Sequence, residues 1–158
     1  MSAKLATGDK APGFKLPQDG GGEVSLADFK GRKLVLYFYP KADTSGCTIE
    51  AKDFSKLAPA FNRAGTAILG VSADPVRKLD KFKAKYDLSI PLGSDEAHDM
   101  LEAYGVWAKK SMWGRSYMGI LRNTYLIGAN GRIAQIWEKV KVAGHAAEVL
   151  AAAKSLED

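Results

Sequence analysis

The chain has 158 residues, 46% of them hydrophobic and 26% charged, the profile of one globular domain spanning 1–158 that buries its own core without disulfide staples. Lys and Arg number 23 against 18 Asp and Glu, a formal charge of +5 with no block of like charge, so the basic excess reads as a solubilising surface and nucleic-acid binding is not expected. A single cysteine excludes an internal disulfide, no run nears the roughly 18 apolar residues of a membrane span, and the first residues lack a signal-peptide core; a reducing cytoplasm is the expected address.

In chain order, "GFKLPQDGGGEVSLADF" reads as two short extended pieces around the Asp19–Gly22 turn, a hairpin whose glycines supply positive φ. The Gly/Lys/Ser spacing of a phosphate loop is missing there. "KLVLYFY", Lys33 to Tyr39, is a nearly continuous apolar run of β-formers, a central strand buried on both faces and ended by Pro40. Beyond it Cys47, Ala51, Phe54, Leu57 and Phe61 recur at steps of three or four and predict an amphipathic helix, which Pro59 should break or restart.

Thr66 to Ala73 predicts a second buried strand. Asp74 and Pro75 read as N-cap and first turn of a helix with Val76, Leu79, Phe82 and Tyr86 on one face. "IPLGSD" is a short strand or loop, and Ser94 or Asp95 can cap a helix to about Tyr104 with Met100 and Leu101 inward. "MGILRNTYLIG" reads as one strand, Asn130-Gly131 as its turn, "IAQIWEK" as its antiparallel partner and "GHAAEVLAAAKSL" as a closing helix. The fold class is α/β: a central mixed sheet flanked by helices, with an N-terminal β-hairpin.

The lone thiol carries the chemistry. Cys47 lies where a central strand hands over to a helix, the place where α/β sheets bind ligands. A first helical turn offers unpaired N–H groups and about half a positive charge, and cysteines so placed become nucleophilic thiolates at neutral pH. Thr44 can aim a hydroxyl at the sulfur or at an oxygen it attacks, Gly46 lets the backbone turn closely, and Pro40 stiffens and shields the loop. Cys47 also fits the apolar stripe of its helix, so an inert core cysteine is the competing reading.

Arg122, in the otherwise apolar or weakly polar "GILRNTYLI", needs anions to hold. A thiolate would serve; the competing reading is an arginine on an exposed strand face that pairs with a carboxylate such as Glu50. Taken together, Cys47 and Arg122 suit a thiolate that attacks an O–O bond while the guanidinium steadies the departing oxygen. His98 and His145 read as surface or capping residues. No Cys, His and carboxylate cluster has metal-ligand spacing, so no metal or other cofactor is expected. Without C-x-x-C, dithiol reductase chemistry is excluded.

"YFYPKADTSGCTIEA" resembles the active-site segment of peroxiredoxins, in which Pro, Thr or Ser, and Cys stand at the spacing of Pro40, Thr44 and Cys47. It is most similar to the bacterioferritin-comigratory, or peroxiredoxin Q, branch; "KSMWGRSYMGILRNTYLIGANGRI" and the opening "GDKAPGFKLPQDGGGEVSLADFKGRKLVLYFYP" extend the likeness over almost the whole chain. The resemblance implies a thioredoxin-like fold and a thiol peroxidase acting on hydrogen peroxide or alkyl hydroperoxides through a sulfenic acid at Cys47. It implies substrate contacts at Pro40 and Thr44, activation by Arg122, and Glu50 holding that arginine.

One departure stands out. Many members of that branch carry a resolving cysteine five residues after the first, where this chain has Lys52, and "PVRKLDKFKAKYDL" lacks the alternative one. The sulfenic acid must therefore be reduced by an outside thiol such as thioredoxin, glutaredoxin or glutathione, or by a second chain's Cys47. A monomer or weak homodimer is the expectation. The alternatives are a redox sensor that uses Cys47 without rapid turnover and a cysteine hydrolase with His98 or His145 as base, which has no motif around either histidine.

Overall fold

The computed structural model describes residues 4–156. Its elements are β1 (Lys15–Pro17), β2 (Glu23–Ser25), a 3-10 turn (Leu26–Phe29), β3 (Lys33–Phe38), α1 (Ser45–Arg63), β4 (Thr66–Ser72), α2 (Val76–Tyr86), β5 (Leu92–Ser94), α3 (Asp99–Ala103), β6 (Trp107–Met112), β7 (Arg115–Ile120), β8 (Thr124–Ile127), β9 (Ile133–Trp137) and α4 (His145–Ser155).

Five strands form the central sheet in the order β5-β4-β3-β8-β9. β3, β4 and β5 run parallel, joined through α1 and α2, while β8 pairs antiparallel with both β3 and β9. The strand period of two divides β3 between two cores. Val35, Tyr37 and Tyr39 pack with α1, α2 and α4; Leu34, Leu36 and Phe38 pack with the β1–β2 hairpin, α3 and the base of β6 and β7. That double burial is why the run reads as continuously apolar. Tyr37 stacks on Phe54 of α1 at 4.6 Å between ring centroids. Its ring also lies over its register partner Gly70, where a Cβ would sit 2.7 Å from a ring carbon.

The β1–β2 turn is the expected Gly-rich one, with Gly20, Gly21 and Gly22 all at positive φ. Buried Asp19 ties it to the body, accepting from Lys83 of α2 at 2.7 Å and from the Leu92 amide at 2.8 Å. Lys33 reaches the far end of α4 and donates to the Ala153 and Leu156 carbonyls, placing a cation at the negative end of that helix.

Four sequence expectations are corrected. Pro59 does not break α1, which is helical from Ser45 to Arg63. Proline frees the carbonyl four residues back, and that carbonyl, on Ser55, accepts from the Ser89 hydroxyl at 3.2 Å. Asp74 is not the N-cap of α2; Pro75 holds that position, and the Asp74 carboxylate accepts instead from Ser72 and from the Ala42 amide, each at 2.8 Å. α3 starts at Asp99, later than expected, though Asp95 still satisfies one of its first amides by accepting from Leu101 at 2.8 Å. "MGILRNTYLIG" is two strands, β7 and β8, interrupted at Leu121–Asn123, and β7 pairs with β6 in a separate hairpin that periodicity does not reveal.

Candidate active site

β3 ends at Phe38, whose amide donates to the Asn123 carbonyl at 2.9 Å, while Tyr39 donates to Val71 of β4 at 3.2 Å. Half-buried Pro40 then opens the loop to α1. The loop is pinned from three sides. Ala42 donates to Asp74; Thr44 donates its hydroxyl to the Lys41 carbonyl at 2.7 Å; Asp43, at a left-handed φ of 61°, pairs with Lys85 and accepts from Tyr86 Oη, both on α2. The Tyr86 hydroxyl, and after it the Lys85 ammonium, lower the Asp43 pKa from its ordinary value.

Thr44 is the N-cap of α1, its carbonyl accepting from the Thr48 amide at 2.9 Å. Cys47 is therefore the third helical residue, and the amides of Ser45, Gly46 and Cys47 belong to the first turn, whose N–H groups have no partner one turn back. They place the positive end of a 19-residue helix at the thiol. Cys47 is 1% exposed and shares the core with Tyr37, Tyr39, Ala51 and Phe54.

Burial alone would make an inert cysteine, but the Arg122 guanidinium faces this one. Its Nη2 donates to Cys47 Sγ at 3.3 Å and its Nη1 donates to Glu50 Oε1 at 2.6 Å. Gly46 makes room, since a Cβ there would stand 3.2 Å from Nη2. The guanidinium stays on target because its backbone is fixed. Leu121 donates to Val106, Val140 donates to the Arg122 carbonyl, and Asn123 accepts Phe38 on its carbonyl and Lys139 on its side chain. Arg122 thus sits in the connector between β7 and β8, not within a strand.

The charges balance within this group. Burial opposes the Arg122 cation, yet the facing sulfur and Glu50 together hold its pKa above the ordinary arginine value. For Glu50, 1% exposed, burial outweighs the guanidinium and the carboxyl is pushed up to about 7. Its Oε2 has no hydrogen-bond partner among the described residues. The folded chain therefore holds this proton from about pH 4.5, where the unfolded carboxyl releases it, to about 7. This contribution to stability is fully present below about 4.5 and is lost as pH rises through 7, a span of about 3 kcal/mol. Denaturant titrations from pH 4 to 8 should show that falling component in the wild type, and comparison with Glu50→Gln should remove it.

His145 is not the surface or capping residue expected. It is buried, its Nε2 lies 2.9 Å from Thr124 Oγ1, and its ring meets Phe54 and Trp137 edge-on. Burial keeps it below the ordinary histidine pKa. His98 stacks on Trp107 at 4.0 Å. Lys52 is exposed, with its ammonium 5.9 Å from the Tyr86 ring centroid. Sequence reasoning missed Asp74 and Asn123 as braces of the site; both act through backbone groups of distant segments, which leave no local signal. Among the described residues no group of three His, Cys, Asp or Glu is placed to hold a metal, and no helix is long and apolar enough to cross a membrane.

A family model described as AhpC/TSA matches residues 7–136. The chain belongs to the AhpC/TSA family. Peroxiredoxin Bcp of Bacillus subtilis is 45% identical over 154 residues, covering 98% of each chain. Peroxiredoxin Bcp of Escherichia coli is 42% identical over 141 residues, 89% of this chain and 90% of the other. Among solved structures, Xanthomonas campestris peroxiredoxin Q aligns with a TM-score of 0.86 at 46% identity, covering 90% of each chain. A cysteine-to-serine variant of Xylella fastidiosa PrxQ aligns with a TM-score of 0.92 at 37% identity, covering 98% of each. The chain is accordingly a peroxiredoxin of the Bcp, or peroxiredoxin Q, type; its fold is thioredoxin-like, and the enzyme is a thiol-dependent peroxidase whose single cysteine fits a one-cysteine cycle.

Proposed function

We propose that Cys47 is the peroxidatic nucleophile and that Arg122 and Thr44 serve it directly. The carrying observation is the guanidinium nitrogen 3.3 Å from the sulfur of the chain's sole cysteine, at the positive end of α1. A thiolate there attacks one oxygen of a hydroperoxide. The S–O bond forms as the O–O bond breaks; the departing alkoxide or hydroxide takes a proton and leaves as alcohol or water; Cys47 is left as sulfenic acid. Arg122 stabilises the charge while it moves from sulfur to the leaving oxygen. The Thr44 hydroxyl, which already donates to Lys41, accepts from the peroxide O–H through a lone pair. Pro40 screens the loop side, and Glu50 orients the guanidinium.

The substrates are hydrogen peroxide and alkyl hydroperoxides; one solved Xanthomonas campestris neighbour, 45% identical, is described by its alkyl peroxide reduction activity. An external thiol closes the cycle. It attacks the sulfenic sulfur, releases water and forms a mixed disulfide, which a second thiol then resolves. Thioredoxin, glutaredoxin and glutathione are the candidate donors, and the protein acts in the cytoplasm as one domain, a monomer or weak homodimer without a cofactor. Peroxide consumption assayed with each donor tests the reading. Sustained turnover is the expected result. A protein that gains one oxygen (about 16 Da) yet does not turn over would instead be a sensor.

A further inference from the structure

The β6–β7 hairpin is an arm that folding alone does not explain. Residues Ser111 to Met118 are all exposed. Among them are Met112 at 54%, Trp113 at 92%, Tyr117 at 44% and Met118 at 50%. Trp113 holds a left-handed φ of 57°, a conformation costly for a bulky side chain, and Gly114 follows at 76°. A strained turn that leaves an indole in water adds nothing to the core. Trp, Tyr, Met and Arg are the residues enriched at the energetic centres of protein interfaces.

The register shows which face matters. Lys110 opposes Tyr117 and Met112 opposes Arg115, so these four side chains share one face of the ribbon. Burial and the Arg122 charge lower the Lys110 pKa, while the Cys47 sulfur acts the other way. β7 runs on into Arg122 two residues after Ile120, and the arm's base is tied to it by the Leu121–Val106 hydrogen bond of 2.8 Å. Ile49, two residues past Cys47 on α1, adds a further apolar residue 50% exposed. Between Trp107 and Arg122 there are three cations, Lys109, Lys110 and Arg115, and no acidic residue.

We propose that this arm docks the protein that reduces the Cys47 sulfenic acid, a thiol protein whose reactive sulfur is bordered by apolar and acidic side chains. The inference rests on the peroxidase reading and names the partner of that same site. The chain has one sulfur nucleophile, 1% exposed, so the reducing sulfur must be brought to this rim from outside. The arm's charge selects an acidic partner and repels its own copy, since symmetric pairing of two arms would set Lys110 and Arg115 against themselves.

The test compares recycling by thioredoxin, kept reduced by its reductase and NADPH, with recycling by dithiothreitol. In the wild type, thioredoxin should outpace dithiothreitol at equal thiol concentration, and its kcat/KM should fall as salt rises. Trp113→Ser with Arg115→Glu should lower kcat/KM for thioredoxin at least tenfold, with sulfenic acid formation and dithiothreitol-driven turnover kept within twofold. Any of four results overturns the proposal: thioredoxin kcat/KM unchanged in the variant; an equal loss with dithiothreitol; no thioredoxin advantage in the wild type; or thioredoxin recycling kept while the variant loses binding to phosphatidylglycerol vesicles or dissociates a dimer. If the wild type forms no sulfenic acid and consumes no peroxide even with dithiothreitol, the peroxidase reading itself fails and takes the arm's role with it.

Discussion

Cys47→Ser is expected to reduce peroxide consumption to the uncatalysed background, a fall of at least about 10³-fold. The reason is ionisation and not shape. Serine nearly matches cysteine in volume and would fill the same place against Tyr37, Ala51 and Phe54, so the folded core should survive. An alcohol at that position stays protonated at neutral pH, even with the first-turn amides and a guanidinium beside it, and a neutral hydroxyl does not cleave an O–O bond. Two measurements separate chemistry from folding. The far-ultraviolet spectrum and thermal midpoint should stay close to wild type, while the oxygen adduct on treatment with one equivalent of peroxide should disappear. Residual turnover in this variant would show that the reaction runs elsewhere.

Arg122→Ala is expected to slow the reaction with peroxide by about 10²-fold or more, the usual effect of deleting a preorganised donor from a developing anion. It removes the donor on Sγ and the counter-charge of Glu50 in one step. A buried carboxylate without its cation is strongly destabilising, but Glu50 already keeps its proton to about pH 7 and can escape by staying neutral. The stability loss of Arg122→Ala should therefore be small near pH 5 and grow as pH rises above 7. Arg122→Lys keeps the charge but loses the planar fork that serves sulfur and carboxylate together, so its rate should fall between the two. The decisive readout is the rate of iodoacetamide alkylation against pH. If profiles with and without Arg122 superimpose, the guanidinium does not activate the thiol, whatever its distance.

Much of this arrangement is legible in the chain. The double-faced burial of β3 shows in six apolar residues without alternation, Leu34 to Tyr39, and the start of α1 shows in the Pro40–Cys47 loop followed by a stripe at helical spacing. Other features needed partners far along the chain. Pro59 reads as a helix break because the sequence does not reveal that Ser89 will satisfy the Ser55 carbonyl. Asp74 reads as a cap because an Asp-Pro pair so often is one; it serves the Ala42 amide because β4 lies beside β3. His145 reads as a surface residue because nothing local says that Thr124 will meet it.

The sequence by itself determined the class of the fold, and it left Cys47 as the sole thiol so that a thiol reductant must come from outside the chain, since these follow from local periodicity and from there being one cysteine. Only the tertiary structure decided what faces that cysteine, which local sequence leaves as either inert filling or a reagent. Buried in its helix stripe, Cys47 satisfies both descriptions. What separates them is a guanidinium 75 positions later, brought to 3.3 Å because β8 pairs with β3 and sets Arg122 over the start of α1. Electrostatic activation depends on distance through space, and pairing of distant strands sets that distance.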